Sequence, residues 1–205
     1  MAQDVAEFLF LFEKDLTVEL QRRRPDLFYI HAAAVELDGK TAIIAAPSGT
    51  GKSTTTWGLL HEGFRYLSDE LAPVDLKEMV VYPYPHALCL KDEPPPPYIL
   101  PEGTLRTTET LHVAVEFLPA EAVMEPRPLA AIFFLNRNAG EAGDRIQQIS
   151  TGEAAARLLA NALNPLAHHG EGLDAAIQIA KQVPCFELHV ADLTKTSAVI
   201  RKALI

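Results

Sequence analysis

Apolar positions along the chain fall into short runs and spaced stripes rather than long blocks. From about Val5 to Gln21 they recur at helical spacing, which predicts an amphipathic helix. Phe28 to Glu36 and Thr41 to Ala45 read as strands, and Asp38-Gly39 between them is a hairpin signal. Lys52 to His61 carries Trp57, Leu59 and Leu60 at helical spacing, with Gly63 as a stop just beyond. Further strands are predicted over Phe64 to Leu67, through "LAPVDL" and "MVVYPY", and over Leu129 to Leu135, Arg145 to Ile149 and Cys185 to Val190. Helices are predicted over Gly152 to Leu163, over Gly172 to Gln182 and in "DLTKTSAVIRKAL", where Asp192 is the cap. "DEPPPPY", Asp92 to Tyr98, is a stiff extended segment, read as a connector in preference to the wall of a groove. Strands alternating with helices define an α/β protein, and no internal repeat is visible.

Composition narrows the function classes. The 205 residues and 48% apolar content suit one α/β domain with an ample core. A net charge of −9 argues against a nucleic-acid partner. The one basic cluster, Gln21 to Arg24, reads as the solvated end of a helix, where cations suit the dipole. Cys89 and Cys185 stand alone, outside any disulfide or zinc pattern. No apolar run is long enough to span a membrane, and "AEFLFLFEK" is too short, and too acidic ahead of it, for a signal peptide. The expected location is the cytoplasm.

The stretch Ala46-Pro47-Ser48-Gly49-Thr50-Gly51-Lys52-Ser53 changes the picture most. It departs from G-x-x-x-x-G-K-[ST] only in having alanine first, and it sits between a strand and a helix, the context that motif requires. Gly49 and Gly51 can take backbone angles closed to other residues. N–H groups from Ser48 through Thr54 can then face an anion at the helix N-terminus. Lys52 would reach the β- and γ-phosphates, and the Ser53 hydroxyl would bind Mg²⁺. Phosphoryl transfer also needs an acid. The strand that returns after the loop helix is expected beside the loop strand, with its end at the same edge, and it ends in Ser68-Asp69-Glu70. One carboxylate can help hold Mg²⁺ and the other can accept a proton. His31 lies in "FYIHAAAV", on the strand paired with the loop strand, and is either a core residue or a phosphate-side group. His168-His169 read as a surface loop without spaced acidic partners rather than a metal site.

The run "IHAAAVELDGKTAIIAAPSGTGKSTTTWGLLHEGFRYLSDE" resembles the catalytic core of the HPr kinase/phosphorylase family and its smaller HPr-kinase-related relatives. That resemblance implies a phosphoenolpyruvate carboxykinase-type P-loop fold, with a mixed central β-sheet flanked by helices. It implies a single catalytic domain over residues 1–205: a helical extension at 1–27, the P-loop core at 28–100, and the remainder at 101–205. His31 matches the family's active-site histidine, Lys52 its phosphate lysine and Ser53 its metal-binding serine. Asp69-Glu70 stands where the family has Asp-Asp, so Glu70 inherits the proton-acceptor role and Asp69 the metal. "YPYPHALCLK" and "LAAIFFLNR" resemble later strands of the relatives and imply that Lys91 and Arg137 lie near the phosphates. The family's long N-terminal domain, its second metal-binding glutamate and its HPr-recognition segment have no counterpart here.

The expected activity is Mg²⁺-dependent transfer of a γ-phosphoryl from ATP or GTP to a hydroxyl, such as the serine of a protein, a peptide or a free amino acid. A silent nucleotide-binding regulator and another type of small-molecule kinase stay open as alternatives. Pyrophosphate stays open as a donor, and a homo-oligomer as an assembly state. The Asn-Lys-x-Asp motif of GTPases and the arginine lid of shikimate-type kinases are missing.

Overall fold

The computed structural model describes residues 5–136, 145–190 and 192–204. α1 (Val5–Arg23) leads into β1 (Phe28–Ile30), β2 (Ala32–Leu37) and β3 (Lys40–Ala45). α2 (Lys52–His61), β4 (Arg65–Ser68), β5 (Ala72–Asp75) and β6 (Val80–Val81) follow. β7 (Leu88–Leu90), β8 (Leu105–Arg106) and β9 (Leu111–Val113) form a small antiparallel sheet in the order β7-β9-β8. β10 (Arg127–Asn136), β11 (Arg145–Gln148), α3 (Thr151–Ala160), α4 (Leu173–Gln182), β12 (Cys185–His189) and α5 (Leu193–Leu204) complete the described chain.

The main sheet runs β1-β5-β6-β10-β3-β2-β4, with β12 beside β10 and β11 beside β12. It is mixed, because β10 runs parallel to β3 and β12 while the other pairs are antiparallel. β10 changes partner along its length. Arg127 and Pro128 pair with β6, and Ile132 to Asn136 pair with β12, so the sheet curls. Period-two alternation sorts its side chains onto two faces. Ala32, Ala34, Ile43 and Phe134 pack against Leu158 and Ile179 of α3 and α4. Ala33, Ile44 and Phe133 pack against Trp57 and Leu60 of α2 and Ile200 of α5. The α/β class, with a mixed sheet flanked by helices, is therefore as expected. At Gly58 of α2 a Cβ would lie 2.6 Å from Leu193 Cγ, so glycine is what lets α5 approach.

Three expectations need correction. The strand expected from Phe28 to Glu36 is broken at His31. β1 pairs with β5, whereas β2 pairs with β3 and β4. The free edge of β1 is met by residues 161–164. The Leu163 N–H donates to Tyr29 O at 2.8 Å, and the His31 N–H donates to Asn161 O at 2.7 Å. The Asn164 side chain accepts from the Tyr29 N–H at 3.0 Å and donates to Leu27 O at 2.9 Å. The change of partners turns the chain at His31. Secondly, β4 does not lie beside β3. The hairpin strand β2 sits between them, antiparallel to both, so β3 and β4 still point the same way and end at one edge. For His168 and His169, only the expected lack of an acidic partner is corrected, and only at His169. His168 lies between two short 3₁₀ turns, His169 begins the second of them, and His169 Nδ1 lies 2.5 Å from Asp174 Oδ2. No helix among the described residues is long and apolar enough to cross a membrane.

The hairpin turn is held from inside. Asp38 and Gly39 take left-handed φ values of 50° and 81°, the conformation that an Asp-Gly hairpin turn needs. Glu36, only 1% exposed, accepts hydrogen bonds from the Gly39 N–H and from Arg65 Nε on β4. Burial pushes its carboxyl up, but those bonds and the Arg65 charge outweigh burial and leave it below the ordinary range. A depressed carboxyl contributes stability above its unfolded pKa of about 4.3 and loses it as pH falls through the lower folded value. Glu36→Gln is expected to lower the unfolding free energy by about 1–3 kcal/mol at pH 7. Urea titrations should find that gap shrinking by pH 3. An equal gap at both pH values would assign the loss to packing instead of charge.

Candidate functional site

The loop between β3 and α2 has a cradle's backbone. Gly49 and Gly51 adopt φ of 83° and 106°, and the Thr50 N–H closes a turn onto Pro47 O at 3.1 Å. A Cβ at either glycine would meet no atom within 4 Å, so backbone angle and not crowding requires glycine. Ala46 is buried within the core below the loop and its place needs no special angle. Gly51, the N-cap of α2, has no side chain to cap it, so the N–H groups of the first turn carry the positive end of the helix dipole into the loop.

Four side chains converge at that end of α2. Lys52 Nζ, with its side chain 9% exposed, pairs with Asp69 Oδ1 and lies 3.6 Å from Glu70 Oε1. The Ser53 hydroxyl donates to Asp69 Oδ2 at 2.7 Å. Asp69 is fully buried. Burial pushes its carboxyl up. The Lys52 charge, with hydrogen bonds from Lys52 and Ser53, more than reverses this and holds it below the ordinary range. Glu70 follows with a positive φ of 70° and a side chain 53% exposed. A non-glycine residue in that region is held there by its surroundings, and such residues cluster at functional sites. Here β4 ends at Ser68, the buried, bonded Asp69 follows it and β5 starts at Ala72, so the chain must turn sharply at Glu70.

Two cavities flank this cluster. The first, about 350 Å³, is lined by the loop, Lys52, Ser53, Thr54 and Lys91. Lys91 follows β7, and its Nζ donates to Ser48 Oγ at 2.8 Å. The second, about 320 Å³, lies between α1 and the segment around His86. His31, Glu70 and Cys89 line both. His31 thus stands at the strand break between the two cavities, and its ring has no hydrogen-bond partner among the described residues. Tyr29, two residues before it, is fully buried under α1 with Leu27 and Leu71. Burial, with Glu70 and Asp69 adding to it, pushes the Cys89 thiol up to about 12. That thiol is protonated at neutral pH and is no nucleophile.

All but one of the residues expected at the site surround these cavities: His31, Ser48, Gly49, Gly51, Lys52, Ser53, Thr54, Glu70 and Lys91 line them, Asp69 bonds Lys52 and Ser53, and Thr50 closes the loop. Arg137 lies outside the described residues. His86 was not anticipated. Its Nε2 meets the Asp69 carbonyl and its Nδ1 lies 2.8 Å from Ala87 O, while Tyr66 donates to His86 O at 3.0 Å. His112, on β9, was also missed and lines the second cavity. Only the proline-rich run before "LCLK" could have hinted at His86, because its contact with Asp69 spans a stretch of 17 residues that leaves the site and returns.

The residues present fit a hard divalent cation. Ser53 and Asp69 offer one hydroxyl and one carboxylate oxygen side by side, the small protein share typical of Mg²⁺ held mainly by phosphates and water. Among the described residues no group of three His, Cys, Asp or Glu side chains forms a separate metal cage.

No family model matches the chain, and no curated protein matches it. Among solved structures, an Hpr(Ser) kinase/phosphatase from Coxiella burnetii is similar at 13% sequence identity and a TM-score of 0.45, over 85% of this chain and 94% of that one.

Proposed function

We propose that this protein is a Mg²⁺-dependent kinase that moves the γ-phosphoryl of a nucleoside triphosphate, ATP or GTP, onto a hydroxyl. One observation carries the reading. A glycine-rich loop with Lys52 and Ser53 opens on one cavity, and that cavity shares Glu70 and His31 with a second. Donor and acceptor would then meet across Glu70.

The roles follow from the chemistry. The loop N–H groups and Lys52 bind the phosphates, with Lys91 on the far side of the loop. Ser53 and Asp69 would hold Mg²⁺, which supplies positive charge against the phosphate oxygens when bound. Asp69 keeps its charge through the same Lys52 pairing that depresses its carboxyl. Glu70 takes the proton of the acceptor hydroxyl as that oxygen forms the new bond to phosphorus. The bond from phosphorus to the bridging oxygen breaks, and its electron pair leaves with the nucleoside diphosphate. His31 donates a hydrogen bond to the moving phosphoryl group or orients Glu70.

Lys52→Ala is expected to weaken triphosphate binding and to lower transfer by at least ~10²–10³-fold, the scale of a preorganised donor. Calorimetry finding unchanged triphosphate affinity in the folded variant would remove the cradle.

The acid pair should separate by role. Glu70→Gln should keep nucleotide and Mg²⁺ binding and slow transfer by about 10²–10⁴-fold, the range for losing a general base. Asp69→Asn should raise the Mg²⁺ concentration needed for half-maximal rate. Mg²⁺ titrations in which Glu70→Gln is the variant that shifts would reverse the two assignments.

His31→Gln should change the melting temperature little, lower turnover by at least ~10-fold and alter the pH–rate profile. A variant that melts earlier yet turns over normally when folded would make His31 a packing residue. Slow nucleotide hydrolysis serves as the readout until an acceptor is in hand.

A further inference from the structure

The second cavity has a chemistry of its own. One wall is α1, which presents Glu13, Lys14, Thr17, Val18 and Gln21, and of these Glu13, Thr17 and Gln21 are spaced four apart and form a single stripe. The helix is seated by Leu20, which packs on Leu27, Tyr29 and Leu71, and by Thr17 Oγ1, 3.2 Å from Tyr84 Oη. Leu71, Leu163 and Ala87 make much of the remaining lining apolar. Its volume, about 320 Å³, is at the small end of small-molecule sites.

Its charge is lopsided. Glu13 is half-buried, and its carboxylate has no hydrogen bond or ion pair among the described residues. Its charge acts to raise the pKa of His112, which also lines the cavity, and of Tyr66, which is buried in the core. Glu70 adds a second carboxylate, and Lys52 is already engaged by Asp69. Among the described residues Lys14 is the one lysine or arginine on the lining, and it is exposed to solvent. A half-buried, unpaired carboxylate in a largely apolar cavity favours a cation beside it.

Resting on the kinase reading above, we infer that the acceptor is a small amine-bearing alcohol taken into this cavity. Its ammonium group sits on Glu13, its short apolar body lies against Leu71 and Leu163, and its hydroxyl faces Glu70. The hydroxyl oxygen forms the bond to phosphorus, its proton goes to Glu70, and the nucleoside diphosphate leaves with the bridging-oxygen electron pair.

The test uses the full chain and three probes of matched length: 4-aminobutan-1-ol, butane-1,4-diol and 4-hydroxybutanoate. Calorimetry without nucleotide should find the amine bound at least about tenfold tighter than the diol, the scale of one charge-assisted hydrogen bond, with the acid weakest. Glu13→Gln should erase the preference for the amine, and Glu13→Lys should turn it toward the acid, with thermal melts checking that both variants are folded. With Mg²⁺ and ATP, phosphorus NMR should detect the amino alcohol's phosphomonoester. Equal binding of amine and diol, a preference that survives Glu13→Gln, or phosphorylation of a seryl peptide while the amino alcohol is untouched would overturn the inference. The last outcome leaves the kinase reading standing. Triphosphate affinity indifferent to Lys52→Ala would sink the kinase reading, while the nucleotide-free binding order still decides what the cavity selects.

Discussion

The buried pair of Lys52 and Asp69 is the interaction on which the rest of this end of the molecule depends. Neither charge could stay buried alone, since an unpaired ion in a protein interior is strongly destabilising. Asp69 spends both oxygens locally, one on Lys52 and the Glu70 N–H, the other on Ser53 and the Cys89 N–H at 3.4 Å. Its own carbonyl meets His86. The loop helix, the end of β4 and the start of the small sheet are therefore fastened to one carboxylate. Chain segments far apart in sequence reach the same place because that group has something to bond with each of them.

The same fastening divides the space above the sheet edge. Glu70, forced into a left-handed conformation directly after Asp69, falls on the border between the two cavities, with His31 at the strand break and the neutral Cys89 completing the border. A border of three residues lets one carboxylate serve both sides. In the proposed reaction this is what allows a proton acceptor to touch the attacking hydroxyl without facing the phosphates across a wider gap.

Much of this was legible in the chain. The loop motif between a strand and a helix needs only local sequence, and so do the Asp38-Gly39 turn and the Asp192 cap, where the Lys195 N–H bonds Asp192 Oδ1 at 2.9 Å. The acid pair was legible because a strand returning after the loop helix must end at the loop's edge. What local pattern could not reveal were choices of partner. "FYIHAAAV" reads as one strand because nothing within it says that its first half pairs with β5 and its second with β3 and β4. The short strands β7, β8 and β9 carry too few residues for a period to declare itself. That His86 reaches Asp69, and that the α1 stripe faces a cavity, depends on tertiary contacts.

Strand β2 contributes no residue to either cavity, yet it lies between the strand that leads to the loop and the strand that leads to the acids. Two strand spacings, about 9.5 Å, separate those neighbours, and β2 is the spacer. Its run of Ala32, Ala33 and Ala34 keeps both of its faces low, so α2 can settle on one side and the residues around α3 on the other. Close-packed interiors transmit added volume as displacement rather than absorbing it. A bulkier residue at Ala33 would lift α2 and carry Lys52 and Ser53 with it. Lost turnover in such a variant would record a mechanical fault in a shim, although every chemical group of the site was still in place.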